Sequence, residues 1–138
     1  MQTKLNPYLN FKGNARQAME FYHSVFGGKL DLTSYKDGGM SRNQTDENQI
    51  MHAMLVTDSD MTLMGSDVPD GMEYTQGTNV SISLSGDNDA ELSGYYEKLS
   101  DGGTIQEPLT AAPWGDKFGM IIDAFGIRWM VNITGKKE

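Results

Sequence analysis

The 138 residues include no cysteine, which excludes disulfides, thiolate metal sites and cysteine nucleophiles. Basic residues are scarce as well: 11 Lys and Arg stand against 19 Asp and Glu, for a formal net charge of −8. Nucleic-acid binding draws much of its strength from basic patches, and the one adjacent basic pair, Lys136-Lys137, lies in a tail. No nucleic-acid partner is expected, and the acidity reads as a contribution to solubility. Long apolar runs are missing. "MQTKLNPYLNF" holds no continuous apolar stretch of the signal-peptide kind, and no segment approaches membrane-spanning length, so a cytoplasmic chain with no membrane partner is expected. There is no G-x-S-x-G elbow, no P-loop and no glycine-rich strand-to-helix turn of the dinucleotide type, so no cofactor is expected.

What is present is a change of hydrophobic period, met twice. "KLNPYLNF" alternates, with Leu5, Pro7, Leu9 and Phe11 on one face, and predicts a half-buried strand. "KGNARQAMEFYHSVFGG" then carries Ala15, Ala18, Met19, Tyr22, Val25 and Phe26 at helical spacing. An Asn14 N-cap precedes the stripe and Gly27-Gly28 end it. "KLDLTSY" reads as a strand, residues 36–48 as a long mobile loop with almost nothing to bury, and "IMHAMLV" and "MTLMGSD" as two strands joined at "TDSD". After a second loop, "NVSISLS" alternates again, "GDNDAELSGYYEKLSDGG" is an amphipathic helix with a Gly-Gly stop, and "TIQEPLT", "FGMIID" and "GIRWMVNI" are three further strands.

A shift of 75 superimposes the halves: Gly27-Gly28 fall on Gly102-Gly103, Ala15 on Ala90, Phe21 on Tyr96, and Leu5, Pro7 and Leu9 on Val80, Ile82 and Leu84. Each half reads β-α-β-β-β. One helix covers little of a four-stranded sheet, so two such modules are expected to pair within a single domain, residues 1–138, with module one at about 4–67 and module two at about 78–133. The class is α+β.

The stretches "NPYLNFKGNARQAMEFYHSVFGG", "IMHAML", "SLSGDNDAEL…YYEKLSDGG" and "PWGDKFGMIIDAFGIRWMVNI" resemble the vicinal-oxygen-chelate superfamily of glyoxalases, bleomycin-resistance proteins and extradiol dioxygenases. More closely, the chain is similar to the PhnB-like branch, often labelled 3-demethylubiquinone-9 3-methyltransferase. The resemblance implies two paired βαβββ modules whose curved mixed sheets form an open cup, and a homodimer. It also implies four inward positions where metal-dependent members place His, Gln or Glu. Carried over by strand alternation, these fall on Asn6, Met64, Ser81 and Met130. None suits a hard divalent ion, so no metal is expected there.

Other side chains are weighed against simpler roles. His52 is the candidate acid/base, since Met51, Ala53 and Leu55 suit the helix side and leave His52 and Met54 facing the cup; the plainer role is a polar residue satisfied by neighbouring strands. His23 reads as surface. Among ten methionines, Met54, Met64 and Met130, with Met120 as a further candidate, can line a soft cavity for an apolar ligand or simply fill a core. Copper(I) also favours methionine but needs a convergence that sequence does not place. Trp114 in "PWGD" can stack on a flat ligand or anchor a turn. Arg128 shares a face with Met130 and can meet an anion or pair with Asp116 or Asp123. Tyr8 and Tyr35 are further candidates. The expected function is a metal-independent binder of a small organic molecule; the alternative is an enzyme using His52. The methyltransferase label finds no cofactor motif to support it.

Overall fold

A computed structural model describes residues 2–41, 46–69 and 71–135, which form two compact units, Met1–Thr75 and Gln76–Glu138. In the first, β1 (Tyr8–Phe11), α1 (Ala15–Phe26), β2 (Lys29–Ser34), β3 (Ile50–Val56) and β4 (Thr62–Asp67) follow in order. Their sheet runs β1-β4-β3-β2, with β1 parallel to β4 and the other pairs antiparallel. The second repeats the plan: β5 (Ile82–Gly86), α2 (Asp89–Leu99), β6 (Thr104–Ala111), β7 (Lys117–Ile122) and β8 (Arg128–Ile133) give the order β5-β8-β7-β6, with β5 parallel to β8. This is the glyoxalase-like α+β arrangement, βαβββ twice over.

Each sheet buries one face under its helix. In the first unit Leu9, Phe11, Ala53, Leu55 and Leu63 lie beneath the α1 stripe Ala15, Ala18, Met19, Tyr22, Val25 and Phe26, all buried. The second buries Leu84, Ile121, Trp129, Val131 and Ile133 beneath Leu92, Tyr96 and Leu99 of α2. Each large apolar side chain so buried favours folding by roughly 1.5–3 kcal/mol.

The two helices start differently. Asn88 caps α2 through its side chain, accepting from Glu91 N at 3.1 Å, a short polar acceptor meeting an otherwise unpaired donor. Asn14 occupies the cap position of α1 but makes no side-chain cap bond. Asp67, at the end of β4, takes over: its Oδ1 accepts from Gly13 N at 2.8 Å and Ala15 N at 3.0 Å, and its Oδ2 accepts from Ile50 N at 2.8 Å. One buried carboxylate ties helix start, β3 and β4 together.

Two expectations need adjusting. The paired part of the first strand starts only at Tyr8, and that of the fifth only at Ile82, so Leu5 is fully exposed and Val80 is 73% exposed instead of facing the helices. Ahead of the ladder neither has a neighbouring strand to pack on. The segment expected to form a long mobile loop is partly structured where described: Lys36 N donates to Glu47 O, Gly38 N to Ser34 O and Met40 N to Tyr35 O, while Asp46 is buried. Backbone bonds, invisible to a count of apolar residues, hold its two ends. Residues 42–45 of that segment lie outside the described residues.

Candidate functional site

Strand alternation leaves the face opposite each helix without that cover. On the first sheet this face carries one cross-strand row, Tyr8, Met64, Met54 and Asp31, set by the pairings Tyr8–Met64, Met64–Met54 and Met54–Asp31. His52 lies two residues before Met54 on the same face, opposite Thr33. Met54, Met64 and His52 are half-buried and Tyr8 is 43% exposed, whereas Ala53 and Leu55 on the other face are fully buried. Tyr8 Oη lies 3.3 Å from His52 Nδ1, with the rings tilted at 5.8 Å between centroids.

The second sheet carries the equivalent row. Ser83 pairs with Met130, Met130 with Met120 and Met120 with Glu107. Both rows run hydroxyl, methionine, methionine, carboxylate. Arg128 shares the face two residues before Met130, and Phe118 lies two residues before Met120. Trp114, 62% exposed on the turn before β7, meets Phe118 edge-on at 5.8 Å. The two acids offered as partners for Arg128 are otherwise engaged. Asp123 accepts from Phe125 N, Ile127 N and Trp129 Nε1, and Asp116 accepts from Asn132 Nδ2 and Gly135 N.

Of the candidate residues, Tyr8, His52, Met54 and Met64 thus share one face of the first unit, and Arg128 and Met130 one face of the second, which Trp114 adjoins through Phe118. Asn6 and Ser81 have the expected parity but precede the strands; the residues aligned with Met64 and Met130 are Tyr8 and Ser83. Tyr35 is not available to a ligand: it is buried, and its hydroxyl donates to Asp67 O at 2.7 Å. His23 lies at the end of α1 and its Nε2 donates to Gly28 O at 2.8 Å, bracing the Gly-Gly stop. Thr33, Asp31, Phe118 and Glu107 were missed, because only the cross-strand register brings them to these rows.

The displaced titrations of Asp89 and Tyr96 lie away from these faces. A hydrogen bond from Lys117, at 2.8 Å, and one from Ser93 hold the Asp89 carboxyl below the usual aspartate value, while burial pushes the Tyr96 phenol up. Among the described residues no group of three or more His, Asp or Glu side chains converges as a metal site. Tyr8, Met64, Ser83 and Met130 at the head of the rows, like Asn6 and Ser81 ahead of them, offer amide, hydroxyl and thioether donors. They do not fit the hard divalent ion of metal-dependent relatives.

The repeated βαβββ order and the mixed sheets describe one fold, and residues 4–131 match the sequence pattern of one family. The chain belongs to the Glyoxalase/Bleomycin resistance protein/Dioxygenase superfamily. Within the superfamily it is similar to protein PA1353 from Pseudomonas aeruginosa, at 38% identity and a TM-score of 0.84 over 98% of this chain and 100% of that one. A PhnB protein from Bacillus cereus labelled 3-demethylubiquinone-9 3-methyltransferase shares 26% identity, with a TM-score of 0.72 over 96% and 100%. Protein YjdN of Escherichia coli is 26% identical over 94% of this chain and 95% of its own length. The PhnB-like resemblance read from the sequence is borne out. Among the described residues no helix is long and apolar enough to cross a membrane.

Proposed function

We propose that this superfamily member binds a small organic molecule on its open, methionine-bearing sheet faces, without a hard metal ion. The observation that carries the reading is the matched pair of rows, each with two opposed, half-buried methionines between a hydroxyl and a carboxylate. Thioethers give soft apolar contact, and a few polar groups beside them supply orientation. Tyr8 and His52 are those groups on the first face; Arg128, with Trp114 nearby, offers charge and stacking on the second. Asn6 and Ser81, just ahead of the first strands, remain part of the proposed lining. The proposal retains a homodimer in the cytoplasm, and it treats the methyltransferase label as belonging to the Bacillus relative alone.

Native mass spectrometry of protein purified without added ligand or chelator tests it. A released organic molecule near one per chain is expected, strongly depleted when Met64 and Met130 are both replaced by Asp. Wild-type protein carrying no such molecule, or carrying it undiminished in the folded variant, overturns the reading.

A second reading rests on the Tyr8–His52 contact: an enzyme acting on a small metabolite, with His52 as acid/base. A hydroxyl on one ring nitrogen fixes which nitrogen faces a substrate. If the bound molecule is turned over, His52→Ala is expected to abolish turnover in a folded protein, and unchanged turnover removes His52 from the chemistry.

A further inference from the structure

The first sheet gathers three soft or borderline donors on one patch. His52 and Met54 are two residues apart on the open face of β3, and Met64 stands directly opposite Met54 on β4. Directly opposed residues on one sheet face have Cβ atoms roughly 4.5–5.5 Å apart, and diagonal neighbours about 7–8 Å. Methionine carries its sulfur on three rotatable bonds, so two thioethers and one imidazole can close such gaps without moving the backbone. All three side chains are half-buried.

We infer that Met54, Met64 and His52 form a binding site for a soft monovalent cation of the copper(I) or silver(I) type. The chemistry that fails a hard divalent ion favours this one, because thioethers select soft ions and imidazole accepts them. Tyr8 completes the arrangement from outside. With an ion on His52 Nε2, the proton stays on Nδ1 and is donated to Tyr8 Oη, now 3.3 Å away. Asp31, opposite Met54 on β2, adds negative charge at the edge; Lys29 offsets it only weakly, at 4.0 Å between exposed side chains.

The second sheet provides an internal contrast. Met120 and Met130 are opposed in the same way, but Phe118 occupies the place that His52 has on β3, and Arg128 puts a permanent cation two residues from Met130. That patch lacks the imidazole and repels an ion. The inference therefore assigns one soft-ion site to the first unit and none to the second. It stands apart from the organic-ligand reading: either can fail alone.

The test is titration of the full chain with silver(I) as a redox-inert probe, and with copper(I) in competition with a chromophoric chelator under anaerobic conditions. Methionine methyl and imidazole nitrogen resonances are followed by NMR. One ion per chain is expected, shifting the methyls of Met54 and Met64 and His52 Nε2 while leaving Met120 and Met130 unmoved. Met54→Leu and Met64→Leu keep the volume and the fold, and each is expected to weaken binding by at least about tenfold. The double variant Met120→Leu/Met130→Leu is expected to bind as the wild type does. Failure to compete with the chelator, affinity that survives both first-sheet variants, or an equal loss in the second-sheet variant overturns the inference. The wild-type resonance shifts decide the matter even if a variant does not fold.

Discussion

Asp67 accepts three backbone N–H groups from two segments of chain while only 2% exposed. A buried carboxylate costs free energy unless its lone pairs are met, and here backbone donors at a helix start meet them. Asp67→Ala would leave those donors buried and unpaired, at about 1–3 kcal/mol each where water cannot reach them. We expect a loss on the order of 3 kcal/mol or more, read as a lower denaturant midpoint with an unchanged slope. Asp67→Asn, which keeps one acceptor, is expected to fall between the two. A midpoint for Asp67→Ala within experimental error of the wild type would mean that water replaces the carboxylate freely. Nothing in the sequence near Asp67 announced this role: its donors lie 17, 52 and 54 residues away, and the local reading gave the cap to Asn14. His52, Met54, Met64, Arg128 and Met130 were legible as open-face residues because parity along a strand needs no partner. Their opposite numbers were not, because register is a property of pairs.

Whole elements were read more securely than contacts. The α1 stripe chosen by helical spacing is the set of six residues that the structure buries. The repeat survives in finer detail than the 75-residue shift conveyed. In the hairpin halves of the modules the shift becomes 66, taking Met54 to Met120, Met64 to Met130 and Thr57 to Asp123. The turns then correspond bond for bond. Thr57 Oγ1 accepts from Ser59 N and Met61 N, and Asp123 Oδ1 accepts from Phe125 N and Ile127 N. Gly28 and Gly103, equivalent under the first shift, abut the carbonyls of Val56 and Ile122, equivalent under the second, where any Cβ would collide with backbone. The nine residues between the two shifts accumulate between the second and third strands of each module. There the first unit carries the longer connection, the one least readable from composition. Its backbone bonds depend on geometry that apolar periodicity does not encode.

At the scale of the molecule, family and fold class were legible because the repeat and the closing motif extend over most of the chain; ligand and assembly were not. Assembly is the nearer to a decision. Leu5 and Val80 occupy equivalent positions just ahead of their strands, and both project aliphatic side chains into solvent. Single exposed apolar residues are ordinary, but one recurs at the same place in both modules, and we propose each as a contact of the proposed homodimer. In a two-fold interface every substitution acts twice. Removing one buried aliphatic side chain costs roughly 1.5–3 kcal/mol, hence about 3–6 kcal/mol per dimer. At about 1.4 kcal/mol per decade, Leu5→Asp is expected to weaken association by roughly a hundred- to ten-thousand-fold, and Val80→Asp similarly. Light scattering on fractionated protein across a dilution series reads this directly, with wild-type protein at twice the chain mass of 15.3 kDa and both variants moving towards one. A monomeric wild type at every concentration sinks the homodimer. A dimer indifferent to both changes places its interface elsewhere and leaves these two residues as solvent-facing flanks of their strands.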